Sequence, residues 1–366
     1  MRKFVSAAGW LTLGVVLALA LLELALRFLP VPMGLYRTQR YDEWPLQSYE
    51  PKLAYTYSKS WALRNAHRGM TNNYGHIAPF DFHKDSAPVI VLGDSFVEGL
   101  MNTYPETLQG RLGTLLGDPQ SVYGLGVSGL SISDYLALSR LARDEFKPAA
   151  AVLLLSDGDI SESVIDQTGH YWFSVRGDGV ALNYRPLDND SVFRTLRIRI
   201  GDISLYRYLQ VNLGLSLPRL SVWPKRKAAA AAPGVAERTD ARLYPVVDYF
   251  LHNLPATLGL PSRCVVFLLD SDRYAIYKPE QASKRIDDPR LRGYFQREAT
   301  AQGFRVADLD PIFREAYARD QVKFDYWPLD RHWNGAGHDV AATTAYRLLY
   351  GTPGESCRPG KRIATQ

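Results

Sequence analysis

Residues 89–96 read Val-Ile-Val-Leu-Gly-Asp-Ser-Phe, an apolar run that ends in a short polar turn. Consecutive branched apolar residues are typical of a strand buried on both faces, as in parallel sheets. Similar runs follow at 122–127, 151–155, 265–269 and 304–309. Stretches with helical periodicity lie between and after them, at 104–116, 132–146, 243–258, 289–302 and 336–350. Alternating strands and helices predict an α/β sandwich around a central parallel sheet.

The composition excludes several classes of protein. The chain has 366 residues, of which 46% are apolar and 22% charged, with only 2 cysteines. These values exclude a disordered chain, a collagen and a disulfide-rich scaffold. Lys and Arg total 43 against 38 Asp and Glu, and this surplus of +5 is spread along the chain. A nucleic-acid-binding surface needs a denser basic patch, so we expect no nucleic-acid partner.

The N-terminus carries a long apolar segment. Nineteen residues from Phe4 to Leu22 contain no charge, and as a helix they would span about the 30 Å hydrocarbon core of a bilayer. Glu23 and Arg27 follow four residues apart, a spacing that pairs them on a helix. The alternative is a signal peptide cleaved after the small-x-small sequence at 18–20. Cleavage there would leave an exposed apolar stub at 21–29, so we expect an uncleaved transmembrane helix.

The charges near that helix do not predict its orientation, but the lengths of the segments before and after it do. Basic residues flank both of its ends, so the positive-inside count is nearly balanced. A three-residue polar head precedes the span, while long following domains cross membranes largely regardless of charge. We therefore expect a single-pass protein of the inner membrane with an extracytoplasmic, periplasmic body. Cys264 and Cys357 are compatible with an oxidising compartment, either bridged to each other or as two free thiols.

Three parts of the chain are expected from these patterns. Residues 1–30 form the anchor, and residues 31–87 form a juxtamembrane segment without sustained periodicity. Residues 88–366 form the α/β domain, with an insertion at 160–261 that contains a low-complexity linker at 224–236. The juxtamembrane segment holds three histidines, but none has the spacing of a metal-binding pair, so no metal site is expected.

The carboxyl ends of parallel strands are where chemistry collects in open α/β sheets. Ser95 lies at such an end, in the Gly-Asp-Ser turn that leads from the strand at 89–92 into a helix. Its hydroxyl is a candidate nucleophile, and its backbone N–H is a candidate donor to an oxyanion. The simpler alternative is a serine that caps the helix.

A serine nucleophile requires a base and an orienting carboxylate. The segment 330–338 reads Asp-Arg-His-Trp-Asn-Gly-Ala-Gly-His and leads into the last helix. Asp330 and His332 are two residues apart and point the same way on an extended segment, so His332 is the candidate base and Asp330 its orienter. We expect His338 to be packed or solvent-facing and Asn334 to cap the helix.

Four motifs in this order resemble the blocks of the SGNH, or GDSL-type, hydrolase superfamily. They are the GDSF turn at 93–96, GLGVSG at 124–129, SDGDI at 156–160 and DRHWNGAGH at 330–338. The resemblance covers about residues 88–350, apart from the insertion. It implies a three-layer α/β/α flavodoxin-like sandwich, a serine acyl-enzyme and no cofactor or metal.

Carried over by position, the resemblance makes Ser95 the nucleophile and His332 the base. Ser95, Gly129 and Gly158 then supply the oxyanion hole. The third block departs from the family, which usually has Asn-Asp where this chain has Gly158-Asp159. An amide donor is therefore missing, and such a loss typically costs on the order of 10² to 10³ in rate. The Asp-x-His spacing of 330–332 is similar to that of membrane-associated enzymes of exopolysaccharide acetylation.

We therefore expect a serine esterase that acts on O-acyl, in particular acetyl, esters of cell-envelope glycans or lipids. The alternatives are an O-acetyltransferase on exopolysaccharide and a noncatalytic envelope assembly protein with a degenerate site. The aromatic residues Tyr171, Trp172 and Phe173 are candidates for stacking on sugar rings, with core packing of the insertion as the alternative.

Overall fold

The structure is a computed structural model, and it describes residues 2–41, 43–177, 179–187, 192–215, 241–281, 287–351 and 357. The strands of this part are β1 (Arg37–Arg40), β2 (Leu46–Tyr49), β3 (Ala54–Lys59), β4 (Arg64–Met70), β5 (Val89–Leu92), β6 (Val122–Gly124), β7 (Ala150–Leu155), β8 (Tyr171–Arg176), β9 (Gly179–Tyr184), β10 (Val265–Leu269) and β11 (Arg305–Asp308). The α-helices are α1 (Arg2–Arg27), α2 (Ser95–Glu98), α3 (Leu108–Leu115), α4 (Ile132–Phe146), α5 (Asp159–Glu162), α6 (Val192–Gly201), α7 (Ser204–Arg207), α8 (Leu243–Leu258), α9 (Arg273–Tyr277), α10 (Pro289–Ala301), α11 (Leu309–Asp320) and α12 (Gly335–Tyr350).

Five strands form a parallel sheet in the order β11-β10-β7-β5-β6. Numbered within the sheet, this order is 2-1-3-4-5, which is that of flavodoxin-like folds. The chain leaves β5 towards one edge, forms β6, and returns past β5 to form β7. The loops after β5 and β7 therefore diverge and leave a crevice at the carboxyl ends of these two strands.

Helices cover both faces of this sheet. Ile90 and Phe267 face a buried cluster that includes α4, α8 and α10. Val91 and Leu154 point the other way, into a second cluster with α3, α11 and α12. All four strand side chains are fully buried, because each lies between the sheet and a layer of helices. The predicted three-layer sandwich with a central parallel sheet is therefore confirmed.

Some element bounds differ from the sequence-based expectation. The predicted helix at 104–116 becomes α-helical only at Leu108, where the Thr107 side chain accepts a hydrogen bond from the amide of Gly110. The helix α11 was not expected from periodicity. It starts after Asp308, whose side chain caps it, and its first turn contains Pro311, a position where a missing N–H breaks no helical bond.

The juxtamembrane segment is folded, although its sequence shows no sustained period. It contains two antiparallel pairs, β1 with β2 and β3 with β4. These strands have only four to seven residues, and their burial ranges from complete in β2 to slight in β4, so no alternation is long enough to detect. An isolated bridge between Met33 and Thr56 joins the chain just after α1 to the β3–β4 hairpin.

The segment predicted as an insertion at 160–261 contains several elements. The antiparallel pair β8–β9 comes first, followed by α6, α7 and a π-helical turn at Tyr208–Asn212. The last element, α8, packs beside α4 on the sheet and serves as the crossover from β7 to β10. The low-complexity stretch at 224–236 lies outside the described residues.

The helix α1 is long and apolar enough to cross a membrane, a property that a signal sequence shares. Its window Gly9–Arg27 has a mean hydropathy of 2.1, and only 6% of that window is buried. Arg27 Nε donates to Glu23 Oε1 at 2.8 Å, as their spacing predicts.

The two cysteines form a disulfide bond between Cys264 and Cys357, whose Cα atoms are 5.5 Å apart. Of the two alternatives in the sequence, the structure shows the bridge. It fastens the chain beyond α12 to the start of β10, so the C-terminal end of the last helix is held near the sheet.

Candidate active site

Three side chains from distant parts of the sequence meet at the carboxyl edge of the sheet. Ser95 begins α2 directly after β5, and its Oγ lies 2.8 Å from His332 Nε2. The other ring nitrogen of His332 lies 2.5 Å from Asp330 Oδ1, which also accepts the His332 backbone N–H at 3.0 Å. The candidate nucleophile, base and orienter are thus in the order that proton transfer requires.

The carboxylate of Asp330 defines which ring nitrogen of His332 carries a proton. Burial by itself raises the pKa of Asp330, but the hydrogen bonds from His332 and the charge of Lys59 outweigh it and hold that pKa well below its usual range. An ionised carboxylate can only accept, so Nδ1 of His332 is the donor. Nε2 is left to accept the hydroxyl proton of Ser95.

Lys59 is a member of this site that the sequence did not predict. Its ammonium lies 3.2 Å from Asp330 Oδ2, on the side of the carboxylate away from His332. Lys59 ends β3, so the juxtamembrane segment contacts the loop that carries Asp330 and His332. No sequence signal could have predicted this contact, because it joins a half-exposed lysine to a residue that is distant in the sequence.

A buried arginine holds the loop that carries His332. Arg273 pairs with Asp270 and Asp325, and its Nη2 donates to the carbonyl of Arg331 at 2.8 Å. Trp333, which is fully buried, donates its indole N–H to Asp270 Oδ1 at 3.0 Å. The residues on both sides of His332 are therefore fixed by one buried ionic network, which limits the movement of the imidazole.

The last helix follows the sequence-based expectation. Asn334 caps α12, since its side chain accepts from the amides of Ala336 and Gly337. His338 is buried in the first turn of this helix, and its Nδ1 accepts the backbone N–H of Leu108 at 3.0 Å. Burial lowers the pKa of His338 to about 3, so this imidazole is neutral and packed.

Two of the three predicted oxyanion donors have backbone amides without a hydrogen-bond partner among the described residues. These are the amides of Ser95 and Gly129. Gly129 has φ +83 and is exposed, a backbone conformation that L side chains rarely adopt. Its turn is held by Glu98, whose carboxylate accepts the backbone N–H of Ser128 at 3.2 Å.

The third predicted donor, Gly158, has its amide engaged elsewhere. Its N–H donates to Asp287 Oδ2 at 3.1 Å, while Asp287 also accepts the amide of Ser161. Burial raises the pKa of Asp287, against the hydrogen bonds that lower it. An oxyanion role for Gly158 stays a prediction, and it requires this bond to break.

A second acidic group lies next to Ser95, whose Oγ is 3.5 Å from Asp94 Oδ2. Ser156 Oγ is 2.9 Å from Asp94 Oδ2 and 2.8 Å from Asp159 Oδ1. A hydroxyl carries one proton, so both contacts are hydrogen bonds only if one carboxyl is protonated and donates. Burial, and then the nearby charge of Asp94, raise the pKa of Asp159 well above its usual range.

The raised pKa of Asp159 and the two contacts of Ser156 together favour Asp159 as the protonated member of the pair. Its Oδ2 accepts from Tyr135 Oη at 2.8 Å and from the amide of Ser156 at 2.9 Å, which leaves Oδ1 to carry the proton. A neutral Asp159 reduces the negative charge beside Ser95, where an oxyanion would form. The acidic third block is thus less repulsive than its sequence implies.

The three aromatic residues considered for sugar stacking divide between two environments. Tyr171 and Phe173 are buried in the core cluster beside α4 and α8. Trp172 points to the opposite face of β8 and is half-buried. Core packing therefore accounts for the first two.

The chain matches no family model and no curated protein. Among solved structures it is similar to LAE5, an alpha/beta hydrolase enzyme from the metagenome of Lake Arreo, Spain, with 16% identity, 73% of this chain and 98% of that chain covered, and a TM-score of 0.37. It is also similar to a member of the lipolytic protein G-D-S-L family from Veillonella parvula DSM 2008. The identity is 11%, the match covers 72% of this chain and 98% of that chain, and the TM-score is 0.35. Because these TM-scores are low, the fold rests on the strand order and the site on the distances given above.

Proposed function

We propose that this protein is a serine-dependent ester hydrolase that acts on O-acyl, in particular acetyl, esters of cell-envelope glycans or lipids. The observation that carries the proposal is the contact of 2.8 Å between Ser95 Oγ and His332 Nε2, with Asp330 on the other ring nitrogen. A serine capping a helix needs no such pair. The choice of an envelope acetyl ester rests on the resemblance of the four motifs.

The acylation step follows from this geometry. Ser95 Oγ loses its proton to His332 Nε2 and attacks the ester carbonyl carbon, which forms a tetrahedral oxyanion. The amides of Ser95 and Gly129 are the donors available to that oxyanion. His332 then gives the proton to the departing alcohol oxygen, and the acyl group stays on Ser95.

Deacylation repeats the same transfers with water. His332 takes a proton from the water, whose oxygen attacks the acyl carbon, and returns that proton to Ser95 Oγ as the carboxylic acid leaves. A sugar hydroxyl in place of water would make the protein an acyltransferase. Asp330 keeps the imidazole oriented and stabilises its charged form throughout.

The test is labelling of the full chain with a fluorophosphonate, read by intact mass. We expect one adduct on the wild-type protein and none on Ser95→Ala or His332→Ala. His252→Ala is the matched control, because His252 is an exposed histidine on α8, and it should label like the wild type. A folded wild-type protein that stays unlabelled would contradict the proposal. With labelling established, added sugar acceptors distinguish transfer from hydrolysis.

We also propose that α1 is a retained anchor of the inner membrane and that the α/β domain lies in the periplasm. Glu23, beyond the small-x-small sequence, accepts the amides of Ser204 and Leu205, so the end of α1 is bound to the folded domain. The disulfide between Cys264 and Cys357 fits an oxidising compartment. Alkylation of whole cells tests this placement. We expect no thiol to react until a reductant is added, and thiols that react at once would contradict it.

A further inference from the structure

Exposed apolar side chains gather in one short part of the domain. Five large ones fall within residues 196–215, here called the interfacial segment, namely Leu196, Ile200, Ile203, Leu213 and Leu215. They include α6 side chains four residues apart, which lie on the same face of that helix. An apolar cluster of this kind on a folded domain usually marks a contact with a partner or a membrane.

The opposite side of this segment is bound to the protein. Asn212 Nδ2 donates to Ser58 Oγ at 3.1 Å and to the carbonyl of Ser60 at 3.2 Å. Tyr208 Oη donates to the carbonyl of Trp61 at 2.8 Å. The segment is thus held by polar bonds to the β3–β4 hairpin, while its five large apolar side chains stay exposed.

The position of the segment relative to α1 identifies its partner. Glu23 accepts the amide of Ser204 at 3.1 Å and that of Leu205 at 2.8 Å, which fixes the start of α7 against α1. Glu23 lies four residues before the end of α1, or about 6 Å along the axis at 1.5 Å per residue. It also directly follows the uncharged span 4–22, so on a membrane-spanning α1 it lies at the edge of the hydrocarbon core, where amphipathic helices of the interface bury their apolar face.

We propose that the interfacial segment inserts its apolar side chains into the lipid surface beside α1. This inference rests on the proposed role of α1 as a membrane anchor. Arg27 and Arg199 are both exposed, and long cationic side chains of this kind can reach lipid phosphates. The domain therefore contacts the membrane at two places, and the second one restricts its rotation about the end of α1.

The β3–β4 hairpin links the interfacial segment to the candidate active site. The β3–β4 hairpin, which the interfacial segment binds through Ser58 and Ser60, also carries Lys59, whose ammonium pairs with Asp330. A lipid surface that holds the interfacial segment therefore also fixes the hairpin beside the catalytic loop.

The experiment uses single cysteines that carry a polarity-sensitive fluorophore, because both native cysteines are in a disulfide bond. The full chain is reconstituted in vesicles of phosphatidylethanolamine and phosphatidylglycerol that contain a lipid with a nitroxide near its headgroup. Leu196→Cys and Leu215→Cys report on the interfacial segment, where these side chains are 55% and 52% exposed. Val322→Cys is the matched control, since Val322 is 47% exposed at the end of α11.

We expect the nitroxide to quench the two interfacial labels at least about twofold more than the Val322 label. Equal quenching at all three positions would overturn the proposal, and so would protein that fails to float with the vesicles. Fluorophosphonate labelling of the same samples tests Ser95 separately, because none of the three substitutions touches the active site. Failure of the lipid contact is thereby distinguished from failure of the proposed enzymatic function.

Discussion

The pKa of Asp330, which contacts the candidate base, is lowered by its partners, whereas the pKa of Asp159, near the candidate nucleophile, is raised. Asp330 receives two hydrogen bonds from His332 and faces the ammonium of Lys59, and these lower its pKa. Asp159 is buried beside the charge of Asp94, and its pKa is raised. In the proposed mechanism, the same residue type therefore serves as an anion that orients the base and as an acid that keeps negative charge away from the oxyanion. The difference comes from the partners of each carboxyl.

The largest expected effect separates the two aspartates by activity. Asp330→Asn removes the charge that orients His332 and stabilises its protonated form, so fluorophosphonate labelling should slow on the order of 10³ to 10⁴-fold. Asp159→Asn keeps a neutral group that donates to Ser156 and accepts from Tyr135, so its rate should stay within about threefold of the wild type. The measurement is the rate of fluorophosphonate labelling of both variants and the wild type at pH 8. If both substitutions slow labelling equally, Asp159 is not neutral.

The second prediction concerns stability at the neutral site. Asp159→Ala leaves the hydroxyl of Tyr135 and the amide of Ser156 without their partner, which should lower the free energy of unfolding by about 1–3 kcal/mol. Asp159→Asn retains both acceptor bonds and should lose less than half of that. Urea unfolding in detergent micelles, followed by tryptophan fluorescence, measures both values. An asparagine variant as unstable as the alanine variant would refute the proposed hydrogen-bond pattern.

The pH dependence of stability should have opposite signs at the two aspartates. Because the pKa of Asp159 is raised in the folded state, the wild type loses stability as pH rises from the ordinary value of 3.8 towards the folded value. Asp159→Asn does not undergo this loss. The free energy of unfolding of the variant, relative to that of the wild type, should therefore rise by up to about 1.4 kcal/mol per pH unit in that range.

The reverse holds for Asp330, whose pKa is lowered in the folded state. Its contribution is present above the ordinary value of 3.8 and is lost as pH falls through the folded value. The stability cost of Asp330→Asn should therefore shrink in acid. Unfolding curves at several pH values provide the test, and parallel pH profiles for the two asparagine variants would rule out the contrast.

The smallest effect is expected at Lys59. Lys59→Met removes a half-exposed cation from Asp330, an interaction of about 1 kcal/mol or less. The carboxylate then holds the imidazolium proton more strongly, so the acid limb of the labelling profile should move to higher pH by a few tenths of a unit. Lys59→Arg keeps the charge and should restore the wild-type profile. A shift that persists in the arginine variant would mean that packing, not charge, is responsible.

The sequence allowed prediction of elements with a local signal. The strand before Ser95 and the capped helix after Asn334 each carry their own pattern, so both ends of the site could be placed at the edge of the sheet. Neutrality of Asp159 could not be predicted, because it depends on burial by Tyr135 and on the distance to Asp94. The contact of Lys59 depends on a hairpin whose short strands have no clear period. Charge states and partners at the site thus emerge only from packing.

The contact between Ser95 and His332 joins residues 237 positions apart. During synthesis at roughly 5–20 residues per second, Ser95 would leave the ribosome about 12 to 47 seconds before His332. Ser95 has no base during that interval, so its hydroxyl is an ordinary alcohol while the chain is being made. Reactivity appears only when the last helix docks, which makes fluorophosphonate labelling a measure of completed chains.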